Sequence, residues 1–163
     1  MALKVGITGG IGSGKSTVCK IFEVLSIPVY YADDRAKSLM IKNQELVGAI
    51  KALLGEAAYL PDGQLNRAHV ASIVFKDQQK LDALNALVHP AVAKDGERWH
   101  LSQENVPYTL KEAALLFEAG SYKQLDKLIC VIAPKDVRIE RVMKRDQVEK
   151  AAVLARMDKQ WPQ

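Results

Sequence analysis

The stretch Gly9-Gly10-Ile11-Gly12-Ser13-Gly14-Lys15-Ser16-Thr17 follows an apolar run, Leu3 to Ile7, and precedes a helix-like run, Val18 to Leu25. In that setting it fits G-x-x-x-x-G-K-[ST], the strand-loop-helix element that cradles phosphate. The glycines let consecutive backbone N–H groups converge on phosphate oxygens with no Cβ in the way, and the following helix turns its positive end toward the same anion. Lys15 then reaches the β- and γ-phosphates, and Ser16 supplies a hydroxyl to Mg²⁺, an ion held by few protein oxygens and the substrate's own phosphates. Gly10, Ile11, Gly12, Ser13, Gly14, Lys15, Ser16 and Thr17 are therefore the candidate residues for ATP. The plain alternative is a glycine-rich turn that opens an ordinary helix. A dinucleotide fingerprint does not fit, because from Gly10 and Gly12 the last position of G-x-G-x-x-G falls on Lys15.

Outward from the loop, Leu3 to Thr8 reads as a strand, Gly14 to Leu25 as a helix, and Val29-Tyr30-Tyr31 as a second strand after the punctuation of Ser26-Ile27-Pro28, which completes a βαβ unit. From Asp33 to about Gln103 the apolar spacing turns helical, with a turn at Leu60-Pro61-Asp62-Gly63, a cap at Asn66 and a break or kink expected at Pro90. Tyr108 to Glu112 is a third strand, and Leu128 to Ala133 a fourth whose continuous apolarity predicts burial on both faces. Asp136 to Lys144 is helical, and Asp146-Gln147-Val148-Glu149 resembles a capping box opening a last helix to about Lys159. The expected fold is three-layer α/β with a parallel sheet: one domain over residues 1–163, a helical insertion over 33–103, and helices over 136–159.

Composition agrees with one globular domain: 163 residues, 48% hydrophobic and 26% charged. The net charge of +4 arises from 23 basic and 19 acidic residues spread without a long basic block, which suits a small polyanionic ligand better than a nucleic-acid tract. The two cysteines, Cys19 and Cys130, read as buried free thiols in different core elements, with neither metal-ligand spacing nor a disulfide framework. The N-terminus runs straight into a strand, with no signal peptide or membrane segment. A monomer in the reducing cytoplasm, with neither membrane nor nucleic acid as partner, is the expectation.

Several side chains carry candidate chemistry. Asp33 follows the second strand on the carboxyl side of the sheet, where it suits a base for an attacking hydroxyl, although either Asp33 or Asp34 also suits a helix cap, the reading favoured for Asp34. Arg138, Arg141 and Arg145 fall on one helix face, with Arg156 on the next helix, an arrangement open to two readings, a phosphate clamp or a solvated basic face. Glu112 and Glu118 flank the end of the third strand, where loop-type NTPases place the acid that helps hold Mg²⁺; a helix-start charge is the alternative for Glu118. His89, before Pro90, reads as a structural residue, and no histidine has zinc-ligand spacing.

The chain contains neither the N-K-x-D and D-x-x-G segments of a GTPase nor the L-S-G-G-Q of a transporter ATPase. A small kinase with a helical insertion for its acceptor remains, with a non-transferring ATPase switch as the rival class. Five segments then resemble one family, dephospho-CoA kinase: Ile7 to Thr17, Ala32-Asp33, Leu84-Asn85-Ala86-Leu87-Val88-His89-Pro90, Leu115-Leu116-Phe117-Glu118 and Arg145-Asp146. The resemblance implies transfer of phosphate from ATP to the ribose 3′-hydroxyl of dephospho-CoA, the last step of coenzyme A synthesis, rather than to another nucleoside or small alcohol. It makes Asp33 the base or positioning group, assigns the insertion with Arg67 and His89, and with them Glu118, to the acceptor side, and puts Arg141 and Arg145 in a mobile lid. Three departures stand out: Tyr31 where many members have aspartate, Glu112 and Ala114 where Asp and Pro are frequent, and a chain that stops at Gln163 where the family continues with a fifth strand and a final helix.

Overall fold

A computed structural model describes residues 2–117, 120–158 and 160. The fold is three-layer α/β with a parallel sheet and helical insertions, and the chain divides into two compact units, residues 1–31 with 100–163 and residues 32–99.

In the first unit, β1 (Leu3–Thr8), β2 (Val29–Tyr31), β3 (Tyr108–Glu112) and β4 (Lys127–Cys130) form one parallel sheet in the order β2-β3-β1-β4. The register sets Ile7 opposite Glu112 and Ile129, and Tyr31 opposite Glu112, so the carboxyl ends of all four strands share one edge. β1 is central, and the chain passes from β3 on one side of it to β4 on the other. Its carboxyl end is thus a switch point, where open parallel sheets receive ligands. Helix α1 (Lys15–Val24) crosses from β1 and is closed by Ser26 in the left-handed region at φ 61°. Val5, Ile7 and Leu110 of the sheet and Cys19 of α1 form the buried core, with Val18, Phe22 and Ile129 packed against it.

The second unit is helical: α2 (Ala32–Lys42), α3 (Gln44–Leu54), α4 (Arg67–Val74) and α5 (Gln78–Leu101), whose last residues belong to the first unit. Asn43 and Asn66 cap α3 and α4, their side chains accepting from the N–H groups of Leu46 and His69. Between these helices the turn at 60–63 is bracketed by an antiparallel bridge from Tyr59 to Leu65. Ile50, Leu54, Ala58, Val70, Val74 and Val88 are buried here. In the first unit, α6 (Lys135–Asp146) and α7 (Lys150–Met157) pack through Ile139, Val142 and Val153. Among the described residues no helix is long and apolar enough to cross a membrane.

Four local expectations need correction. β4 is not a strand buried on both faces: it ends at Cys130, lies at the sheet edge, and leaves Lys127, Leu128 and Cys130 exposed. Cys130 is accordingly an exposed free thiol, whereas Cys19 is buried. Pro90 does not break α5: it lies inside the helix, and both it and Ala86, whose carbonyl loses its hydrogen bond to the missing N–H, are exposed residues. Nor does Asp146 open a capping box; it closes α6, Gln147 turns left-handed at φ 52°, and α7 begins after Glu149.

Candidate functional site

The loop between β1 and α1 is built by backbone conformations that favour glycine. Gly12 and Gly14 lie at φ 79° and 97°, in the left-handed region, and a Cβ on Gly12 would lie 2.5 Å from the backbone oxygen of Arg138. The Ser13 N–H donates to the Gly10 carbonyl at 3.0 Å, and the Gly14 carbonyl accepts from Val18 at 3.1 Å as α1 begins. The loop therefore opens onto a helix N-terminus, with the positive end of the helix at the carboxyl edge of β1. Ser16 and Thr17 are exposed on the first turn of α1. The Ser13 hydroxyl is buried without a hydrogen-bond partner among the described residues.

Beneath the loop, the Lys15 ammonium donates to the Glu112 carboxylate, and both side chains are largely buried, at 13% and 8% exposure. β3 presents this carboxylate because its register places Glu112 between Ile7 and Tyr31 at the carboxyl edge of the sheet. The same charge influences its neighbours. Burial first, and the Glu112 charge second, push the Cys19 thiol up to about 11, so it stays neutral and unreactive. Burial, then a hydrogen bond to Glu23, raises Tyr31 to about 12, which keeps it a protonated phenol at neutral pH.

The arginines of α6 do not form a uniform solvated face. Arg138 is buried and donates from Nε to the Ile11 carbonyl at 3.0 Å. Arg141 is exposed, yet its Nη1 lies 3.3 Å from the carbonyl oxygens of both Gly12 and Ser13. Arg145 turns away to Asp146, with Nε to Oδ1 at 2.6 Å, and Arg156 of α7 binds the same carboxylate at 2.7 Å. These bonds, Arg145 first, hold the Asp146 carboxyl down at about 2. Asp146 thus joins the ends of α6 and α7 instead of capping α7.

In the helical unit, Asp33 is exposed in the first turn of α2, two residues beyond the end of β2. The helix opens at Ala32, so neither Asp33 nor Asp34 precedes it as a cap; Asp34 instead pairs with Lys37 at 2.7 Å. Arg67 opens α4 and His89 lies on α5, both exposed. Glu118 lies outside the described residues.

The family profile described as dephospho-CoA kinase matches residues 3–163, which includes the loop, Glu112 and the α6 arginines. The chain belongs to the dephospho-CoA kinase family. The chain is 43% identical to the dephospho-CoA kinase of Salinibacter ruber, over 98% of this chain and 81% of that protein. It is 38% identical to that of Chlorobium chlorochromatii, over 99% and 79%. Among solved structures, TT1252 from Thermus thermophilus superposes with a TM-score of 0.85 at 37% identity, covering 99% of this chain and 81% of that one. The dephospho-CoA kinase from Campylobacter jejuni gives 0.69 at 29% identity, over 98% and 81%.

Three features of this dephospho-CoA kinase family member escape a reading of its sequence. Arg35 grips the mostly buried Asp95 of α5 through two hydrogen bonds, at 2.8 and 3.1 Å, which fixes the helix that carries Asp33. A basic residue at the start of a helix and an acid 60 positions later carry no local signal. Gln160 accepts from the Ile11 N–H at 2.8 Å, and Arg138 supports the loop from 127 positions away. Among the described residues no group of three His, Cys, Asp or Glu side chains forms a metal cage. Ser16 and Glu112 carry oxygen atoms of the hard type that Mg²⁺ takes beside nucleotide phosphates, and Glu112 is here paired with Lys15.

Proposed function

We propose that this kinase transfers the γ-phosphate of ATP to the ribose 3′-hydroxyl of dephospho-CoA. The observation that carries this reading is the glycine loop at the carboxyl end of β1 with Lys15 seated on Glu112, in a chain the family profile matches almost end to end. The loop N–H groups and the start of α1 hold the phosphates. As ATP enters, the Lys15 ammonium exchanges the Glu112 carboxylate for β- and γ-phosphate oxygens, and Glu112 becomes available with Ser16 to hold Mg²⁺. The ion, when bound, offsets charge on the phosphates.

The helical unit, with Arg67 and His89, serves the acceptor, as does Glu118. Asp33 orients the 3′-hydroxyl and accepts its proton while the hydroxyl oxygen bonds to the γ-phosphorus and the bond to the ADP oxygen breaks. Arg141, already at the loop, and Arg145, once released from Asp146, balance the charge on the moving phosphoryl group. The α6–α7 segment acts as a lid. The two free cysteines suit the reducing cytoplasm, and a monomer without nucleic acid suffices for two small substrates.

Asp33→Asn tests the acceptor half of this mechanism. Its exposed carboxylate touches no core, so the variant folds, retains ATP binding, and loses turnover by a factor on the order of 10² to 10⁴. Turnover within a few-fold of wild type would remove Asp33 from the reaction.

A further inference from the structure

The geometry points to Arg138 as a positioning residue for ATP, a buried guanidinium that sets the glycine loop in its binding shape before the nucleotide arrives. The inference rests on the reading of this loop as the phosphate cradle. The Ile11 peptide is held at both polar ends: its carbonyl accepts from Arg138 Nε at 3.0 Å, and its N–H donates to Gln160 Oε1 at 2.8 Å. The Ile11 side chain packs on the α6–α7 cluster of Ile139, Val142 and Val153. One residue further on, the backbone of Arg138 closes the space beside Gly12, where a Cβ would lie 2.5 Å from the Arg138 oxygen. The same residue of α6 thus holds the loop with its side chain and limits it with its main chain.

The reason such a device is needed lies in the loop's composition. Gly9, Gly10, Gly12 and Gly14 leave the chain with more backbone freedom than any other residue type, and fixing it on ligand binding weakens affinity by the entropy lost. A charge-assisted hydrogen bond from a buried guanidinium to the middle of the loop removes much of that freedom in advance. Arg138 differs here from Arg141, which is exposed and lies within reach of two loop carbonyls at 3.3 Å. Arg138 contacts the loop at Ile11 and Gly12, so its effect belongs to the nucleotide and not to the acceptor.

The test compares Arg138→Met, which keeps the length and loses the donor, with Arg138→Lys, which keeps a charged donor, and uses Lys15→Ala as the control for the loop itself. For Arg138→Met the KM for ATP rises about tenfold, the order expected for one charged hydrogen bond. The KM for dephospho-CoA stays within about twofold, amide exchange at Ile11 to Gly14 in the free enzyme accelerates, and Arg138→Lys recovers only part of the ATP affinity, its KM for ATP staying about threefold above wild type. A lowered melting temperature with both KM values at wild type makes Arg138 a packing residue and overturns the inference, as does an equal rise in both KM values. Should Arg138→Met fail to fold, Arg138→Lys decides: its KM for ATP rises at least about threefold with the acceptor KM unchanged, and wild-type values overturn the proposal. If Lys15→Ala retains wild-type affinity for ATP, the phosphate-cradle reading fails; if Lys15→Ala loses it while the Arg138 variants do not, only the positioning role fails.

Discussion

Replacing Lys15 perturbs stability as well as catalysis. A lysine on a phosphate loop reads as a solvated charge whose loss leaves the fold intact, but here its side chain is 13% exposed and sits on a carboxylate that is 8% exposed. Lys15→Met therefore strands the Glu112 charge at the end of β3. Breaking a buried pair by removing one partner costs about 3 to 5 kcal/mol. The lower figure applies because Glu112 is at the carboxyl edge of the sheet, where water relieves part of the penalty. At about 2–4 °C per kcal/mol for a chain of this length, the melting temperature falls by about 6–12 °C.

Glu112→Gln is milder, about 1 kcal/mol, because the amide oxygen still accepts from Lys15 and the flexible lysine stem reaches water. The double variant Lys15→Met/Glu112→Gln contains no stranded charge and melts within about 3 °C of wild type, although turnover in both Lys15 variants is at least about 10²-fold lower. Thermal denaturation of the four proteins at neutral pH, with turnover on the same samples, completes the cycle. A Lys15→Met protein that melts with wild type, or a double variant no more stable than Lys15→Met, would refute the buried-pair reasoning.

Two further outcomes follow from the titrations and exposures. A thiol reagent at neutral pH modifies Cys130 rapidly and Cys19 only after unfolding, because the first is exposed on the edge strand and the second is buried and held neutral; equal rates contradict the packing of α1 on the sheet. The Asp146 carboxyl titrates at about 2 when folded against 3.8 ordinarily, so the folded state keeps the anion where the unfolded chain takes up a proton. Its contribution is complete above about pH 4 and disappears as the pH falls to about 2. In urea titrations wild type exceeds Asp146→Asn near about pH 5 and loses that advantage near about pH 2. A difference that does not change with pH contradicts the pairing with Arg145 and Arg156.

Local physics made much of the architecture legible. β1, the loop and α1 are encoded by residues adjacent in sequence, where β-branched side chains, glycines and a helix start need no distant partner. Asn66 capped its helix as its side-chain chemistry requires. The misreadings occur where a distant or competing partner decides. The apolar run at 128–133 resembles a central strand, but only the order β2-β3-β1-β4 reveals that it lies at an edge. Asp146 has the composition of a cap, yet two arginines, one of them ten positions away, compete for its carboxylate. In the site, Lys15 and the glycines were readable from spacing, whereas the ion pair with Glu112, 97 positions away, and the Arg138 contact to Ile11 depend on folding.

The central claim, transfer from ATP to the ribose hydroxyl of dephospho-CoA, is tested most directly by following an isotopically labelled γ-phosphate. With Mg²⁺, labelled ATP and dephospho-CoA, the account predicts that the label moves to the 3′-oxygen of the acceptor in step with ADP formation, and that ADP formation stops when the acceptor is omitted. ADP formed equally without acceptor, with the label in free phosphate, would make the chain an ATPase and contradict the account.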